Sequence, residues 1–501
     1  MIRGWSAEAI RAAEAPALAA GEPLMRQAAA AVADVVREQL PPSGEDPGMD
    51  PMVLVLVGGG NNGGDGLFAA ADLGATTEVI VVVTRDGVHA DGLAAARAAG
   101  VDVLDLSGAD ADWDSLVEAA ERSDLWVDAL AGIGVSGPLR GATGEVVARL
   151  RELAEAAPVP PVIVAVDLPS GVDADTGAVG GPVLAADVTV TFGGAKAGLL
   201  LPPGEGLCGD VRTVPLGLEE ALAAQPATVA RLLDADVADL WPVPEADAQK
   251  YTRGVVGVLA GSQAYPGAAV LCTGAAIRTG CGMARYLGPR RAEDLVLARW
   301  PEVVTAAGRV QSYVVGPGVG SDDEARRAEL REAISEAVSD GLGLVVDAGA
   351  LDLLPAAAAV RAARVVLTPH AGELAGLLGG LGESVERSDI EAAPRHWAAR
   401  AAELTGATVL AKGPTTVIVS PDGETYSQAD GTGWLATAGS GDVLAGILGA
   451  LLAGLPDVPV ARVAALAALV HGRAGRQASG GGPIVATDII DALPATIAGL
   501  L

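Results

Sequence analysis

Two glycine-rich segments place small and polar residues where phosphate chemistry needs them. The first, Gly58-Gly59-Gly60-Asn61-Asn62-Gly63-Gly64-Asp65-Gly66, follows the apolar run Val53–Val57 and leads into an alanine-rich stretch. Glycines at a strand-to-helix turn let the backbone approach an anion with N–H groups pointing outward. The segment has neither the GxGxxG spacing nor the lysine of the GK[ST] phosphate loop. A merely tight turn is the competing reading, but two Asn and an Asp are more polar than a turn requires. The second segment, Thr437-Ala438-Gly439-Ser440-Gly441-Asp442, opens an apolar helix starting near Asp442. Its small residues let consecutive N–H groups face an anion, and the helix dipole adds to their field. Asp442 stands where a carboxylate could take a proton from a hydroxyl being phosphorylated, although an Asp at a helix start is also a common cap.

Further polar residues follow the ends of apolar runs. Asp128 opens the loop Asp128 to Pro138, with Gly132, Ile133, Gly134, Val135, Ser136, Gly137 and Pro138. Asp167-Leu168-Pro169-Ser170 follows Val162–Val166. In open α/β sheets the ligand sits at the carboxyl ends of the strands, so Asn62, Asp128, Asp167 and Ser170 are expected to converge. Such oxygen ligands suit a hard cation rather than zinc. Taken singly, each Asp is equally well a helix cap. In the second half, Lys412-Gly413-Pro414-Thr415-Thr416 offers a cation, a turn and two hydroxyls. Thr368 to Glu373 places His370 and a carboxylate at a strand end, and Asp347 ends another strand. A lone histidine is more often structural than functional, although the chain has only 4.

The elements that must position these residues read as alternating strands and helices. Val53–Val57, Val79–Val83, Val101–Leu106, Leu125–Asp128, Val162–Val166, Val188–Phe192 and Val211–Val214 are short continuous apolar runs, as in a parallel sheet buried on both faces. Leu24, Ala28, Val32, Val35 and Val36 share one helical face, and Pro41-Pro42 stops that helix. Gly217 to Ala248 reads as a break, with a helix and no strand. The pattern predicts domains 1–224 and 225–501. Strands resume at Val255–Leu259, Tyr313–Val315, Leu344–Val346, Val365–Leu367, Thr408–Ala411 and Thr416–Ser420, with helices starting near Pro266, Asp322 and Asp442.

Bulk composition narrows the function. At 501 residues the chain exceeds one ordinary core. A net charge of −30 argues against nucleic acid and anionic membranes as partners, but not against a nucleotide pocket built from backbone N–H groups. Cys208, Cys272 and Cys281 form no metal spacing and fit a reducing, cytoplasmic setting. The acid-broken start MIRGWSAEAIRAAE does not read as a signal peptide, so none is expected. The apolar run Val443–Leu455 is short of the roughly 20 residues a membrane span needs.

Four segments of the first half, NNGGDG, VDALAGIGVSGP, AVDLPSGVDADTG and TFGGAKAGLL, resemble the NAD(P)H-hydrate epimerase family. The resemblance implies that Asn61, Asn62, Gly63, Gly64 and Asp65, with Gly132 to Pro138, hold the dinucleotide phosphates. It implies that Asn62, Asp128 and Ser170 bind potassium (K+). Asp167 matches a substrate-binding position and is the candidate acid/base, with Lys196 as a second candidate or else a solvated loop lysine. The second half resembles the ribokinase superfamily and, more closely, the NAD(P)H-hydrate dehydratase family. LAGS with YPGAA, GPG, DAGAL, LTPHAGE, AKGPTTVI and AGSGDVLAGI carry that likeness. It implies a nucleotide at Lys412, Gly413, Pro414, Thr415, Thr416 and Gly441, and hydrated cofactor at Ala268, Gly318, His370 and Asp442. Gln249 stands before Lys250 where that family often has His.

The expected architecture is therefore α/β: an N-terminal Rossmann-like doubly wound domain and a C-terminal ribokinase-like domain. The expected activity is bifunctional. The first half would epimerise hydrated NADH and NADPH at nicotinamide C6. The second would dehydrate the S form with Mg2+ and ADP or ATP, giving AMP and phosphate if ADP is the donor. A homo-oligomer is the expected assembly. The rival is a hydroxymethylpyrimidine- or hydroxyethylthiazole-type kinase with a non-catalytic N-terminal module.

Overall fold

The computed structural model describes residues 1–41, 51–135 and 137–501. Its contacts divide into two compact units, one of Arg3–Val229 and one of Ala230–Leu501 with Met1–Ile2.

The first unit is built on a seven-stranded sheet. Its order is Asp102–Asp105, Glu78–Val83, Met52–Val57, Leu125–Ala129, Val162–Val166, Val188–Phe192 and Asp210–Val214, with every pair parallel. The strand order reverses beside Met52–Val57, whose six residues are all buried. Continuous burial explains why the central runs are apolar throughout rather than alternating. The edge strands Asp102–Asp105 and Asp210–Val214 are only partly buried and carry charged residues, against the expectation of unbroken apolar runs there. The ends of Met52–Val57 and Leu125–Ala129 thus form the crevice where such sheets take ligands. The helix Leu24–Gln39 buries the predicted face, Leu24, Ala28, Val32, Val35 and Val36; Pro42 lies outside the described residues.

One expectation changes at the crevice. Asn61 to Asp65 lie not in a loop but inside the helix Gly60–Leu73. Close packing explains the glycines there. A Cβ on Gly63 would sit 2.1 Å from the Gly58 carbonyl oxygen, and one on Gly66 would sit 2.5 Å from Ala129 Cβ.

The second unit orders Met283–Tyr286, Val255–Leu259, Ser312–Val315, Gly343–Val346, Arg364–Leu367 and Thr408–Ala411 in parallel. Thr416–Val419 and Thr425–Gln428 continue antiparallel. The stretch read as strandless contains Val229–Arg231, which pairs with Thr425–Gln428 through Ala230 and Tyr426. Three residues are too few to make a pattern in sequence. Ser440–Gly454 is buried almost all round and packs on Gly267–Thr279, where Gly446 lies against the Cys272 carbonyl. A helix apolar on every side belongs in such a core. Among the described residues no helix is long and apolar enough to cross a membrane.

Candidate functional sites

In the first unit, Asp128 ends strand Leu125–Ala129 and is completely buried. Ser170 donates to it from its N–H (2.8 Å) and its hydroxyl (2.6 Å), and the Leu130 N–H adds a bond of 3.2 Å. Burial pushes the Asp128 carboxyl up, and these hydrogen bonds oppose the shift only in part. No salt bridge reaches Asp128 among the described residues. Asn62 is buried with an amide nitrogen that has no partner. It lies under the loop after Asp128: a Cβ on Gly132 would be 3.1 Å from Asn62 Oδ1. A buried carboxylate, a hydroxyl and an amide oxygen within one crevice fit a hard monovalent cation, which would balance an otherwise unpaired charge.

Asp167 follows Val162–Val166 in a left-handed conformation, φ 71°, that non-glycine residues rarely adopt. Its N–H donates to the Val190 carbonyl at 2.7 Å, and Thr191 Oγ1 donates to its carboxylate at 3.3 Å. Lys196 forms an ion pair with that carboxylate and donates to the Phe192 carbonyl at 2.8 Å. Lys196 is 1% exposed, so the solvated-lysine reading fails. Its strand, Ala195–Lys196, is pinned beside Ile2–Trp5 by pairing with Gly4 and Trp5.

Two further acids join this cluster: Asp65, expected from the sequence only as a phosphate-loop residue, and Glu14, which the sequence did not mark. The Asp65 carboxyl is pushed up to about 8 by burial first, then by the charges of Asp167 and Glu14, against the pull of Lys196. Burial also raises Glu14, in the helix Ala7–Ala19, where Lys196 opposes and Asp167 adds to the shift. Only the fold brings four charged groups from distant segments into one electrostatic cluster. Asn61 is exposed at the helix start, while Gly63 and Gly64 are buried. In the second loop Gly132 and Ile133 are half-buried, and Gly134, Val135, Gly137 and Pro138 are exposed. Ser136 lies outside the described residues.

In the second unit, a cavity of about 670 Å³ is lined by His370, Lys412, Gly413, Pro414, Thr416 and Gly441, together with Gln428, Asp430, Thr432, Ser440 and His471. Thr415 is buried and does not line it. Lys412 Nζ bonds Asp347 at 2.9 Å and lies 3.6 Å from Glu373. Burial pushes the ammonium down, but Asp347 and Glu373 outweigh it and the net shift is up. Thr368 donates to the same Asp347 oxygen at 2.8 Å. A Cβ on Gly441 would lie 3.3 Å from Lys412 Nζ, which puts the cation beside the glycine turn.

Asp442 falls in the first turn of Ser440–Gly454, after Gly439 with φ 87°. Burial raises its carboxyl to about 7; Asp347 and Glu373 add to the shift and Lys412 opposes it. A carboxylate so tuned can both hold and release a proton near neutrality. His370 has a structural task and an exposed position. Its Nδ1 caps the helix Ala371–Gly380 by accepting from the Glu373 N–H at 3.1 Å, while the residue stays exposed at the cavity. Ala268 and Gly318 do not line the cavity but touch each other: a Cβ on Gly318 would be 2.5 Å from Ala268 Cβ. Gly316 is pressed against the Asp347 carbonyl, so this turn borders the Asp347 end of the site. Ser440 belongs to the glycine-rich segment marked in the sequence; His471 and Asp430 were not marked, because their proximity to it depends on three separate elements.

With this geometry in view, the comparisons are specific. Residues 21–198 match the family described as YjeF-related protein N-terminus, and residues 256–495 match the family described as NAD(P)H-hydrate dehydratase. The bifunctional NAD(P)H-hydrate repair enzyme of Mycobacterium leprae is 43% identical over 484 residues, covering 94% of this chain and 93% of its own. That of Mycobacterium tuberculosis is 45% identical over 469 residues, covering 90% of each. The crystal structure of an ADP/ATP-dependent NAD(P)H-hydrate dehydratase from Bacillus subtilis aligns with a TM-score of 0.48 at 25% identity, over 55% of this chain and 99% of that one. The two matched halves and the nearly full-length relatives lead to one conclusion: this chain belongs to the bifunctional NAD(P)H-hydrate repair enzyme family.

Proposed function

We propose that this chain repairs hydrated NADH and NADPH in two steps, epimerisation in the first unit and nucleotide-dependent dehydration in the second. The observation that carries this reading is the Asp442 carboxyl, raised to about 7 in the same charged cluster as Lys412 and Asp347 and in the turn after Gly439. Relatives that share both halves favour repair over a stand-alone kinase with an inert front module.

In the second unit, Asp442 takes the proton of the C6 hydroxyl as its oxygen attacks the terminal phosphoryl group. The Gly439–Gly441 amides and Lys412 stabilise charge on the transferring group. Hydroxide, a poor leaving group, becomes phosphate. The ring nitrogen expels it and C5 loses a proton, which restores the dihydronicotinamide. ADP as donor leaves AMP. Magnesium supplies charge neutralisation on the nucleotide phosphates when bound.

In the first unit, C6 carries both a hydroxyl and the ring nitrogen. Asp167 takes the hydroxyl proton as the C6–N1 bond opens, and protonated Asp65 supplies a proton to N1. Reclosure on the other face of the resulting aldehyde gives the epimer. Asn62, Asp128 and Ser170 would hold potassium, whose charge would offset that of buried Asp128. The test is to mix the protein with hydrated NADH, potassium, magnesium and ADP and follow the reduced-nicotinamide absorbance. Absence of recovery with both ADP and ATP would sink the dehydratase reading.

A further inference from the structure

Ser440 and His471 form a buried pair in the wall of the second unit's cavity. Ser440 Oγ lies 3.2 Å from His471 Nε2, and both residues line the cavity with Lys412, Thr416 and Gly441. They come from different helices. Ser440 is the first residue of Ser440–Gly454, between the two glycines of the phosphate turn, and His471 stands in Val460–Ser479. The backbone around His471 is closely held, since a Cβ on neighbouring Gly472 would lie 2.9 Å from the Asp430 carbonyl carbon. Desolvation lowers the imidazole to about 4, so the ring is neutral at pH 7.

A neutral imidazole has one N–H donor and one bare nitrogen acceptor. If Nε2 is bare, it consumes the serine O–H, and Oγ turns only lone pairs toward the cavity. If Nε2 carries the hydrogen, it donates to Oγ and frees the O–H to donate elsewhere. An anion beside Gly441 and Lys412 favours the second arrangement, because it needs a donor and repels lone pairs. A bound anion would therefore set the direction of this hydrogen bond, in competition with the bond between the imidazole and the Ser440 backbone.

We propose that His471 is a positioning residue for the phosphoryl donor: its Nε2–H orients Ser440 so that the serine hydroxyl donates to a phosphate oxygen of a nucleoside di- or triphosphate. The role deepens the nucleotide-dependent dehydratase reading and rests on it. Hydrogen bonds to charged groups set the scale. Ser440→Ala should weaken ADP binding by roughly 10- to 100-fold. His471→Leu, which keeps bulk but has no N–H, should weaken it comparably. The double variant should be little worse than either single, because the two act as one unit. His471→Gln, whose amide can present an N–H near the Nε2 position, should recover most of the affinity.

The experiment is calorimetric titration of the full-length variants with ADP and magnesium, alongside epimerase rates and thermal midpoints. A thermal midpoint of the second unit close to the parent's excludes misfolding as the cause, and unchanged epimerase activity shows that the first unit is untouched. Wild-type affinity in His471→Leu overturns the proposal. So do losses that add in the double variant, or a His471→Gln as weak as His471→Leu. A parent chain that binds neither ADP nor ATP would remove the nucleotide reading itself, an outcome distinct from a parent that binds and a His471 variant that is indifferent.

Discussion

At the scale of single residues, burial moves the carboxyl groups of Asp442 and Asp65 into the physiological range. Asp442, raised to about 7, could serve as the proposed base only when ionised. The dehydration rate should therefore rise with pH through about 7, and Asp442→Asn should lose that limb and fall by roughly 10²- to 10⁴-fold in kcat. A pH profile of both proteins checks this. Asp65 gives a stability prediction with a definite sign. Its folded carboxyl, at about 8, lies above the ordinary value of 3.8, so the folded state holds a proton that the unfolded chain releases. Stability should fall as pH rises between those values and then level off. Asp65→Asn should flatten that fall and raise the thermal midpoint most above pH 8, as scanning calorimetry from pH 5 to 9 would show. The same substitution should depress the epimerase rate, a trade of activity for stability common at active sites.

At the scale of elements, the glycines report which backbones must touch and which have room beside them. Gly63→Ala would drive a methyl to 2.1 Å from the Gly58 carbonyl, between two backbones that cannot both yield. It should cost at least 1–3 kcal/mol of stability, on the scale of overpacking, seen as a lowered denaturation midpoint. Gly441→Ala meets only the end of a flexible lysine at 3.3 Å. It should fold normally, raise KM for the nucleotide and leave epimerase activity unchanged; paired kinetic assays separate the two effects. Both residues look alike in sequence, as glycines beside a helix start. The long strands and the helix Ser440–Gly454 were legible because full burial demands unbroken apolar runs. The strand Val229–Arg231 was not, since its three residues owe their conformation to pairing with Thr425–Gln428.

At the scale of the whole molecule, each unit encloses its own core and its own charged site. Asp167→Ala should abolish epimerisation while leaving dehydration of the S form at the parent rate, and Asp442→Asn should do the reverse. Assays with each pure epimer test both at once. Mutual loss in either variant would show that the two sites do not work independently.

The chain's residues alone were enough to indicate the α/β class and to mark the glycine-rich segments that follow strand ends. Strand burial and turn conformation are local requirements that leave local marks. The resemblance in ten short motifs supplied the reaction. Tertiary structure decided what depends on distance: that Lys196 is buried against Asp167, that Asp65 and Glu14 share that cluster's field, and that Ser440 meets His471. Desolvation and pairing are properties of a place in the fold, and residues far apart in sequence acquire them only when the chain closes around them.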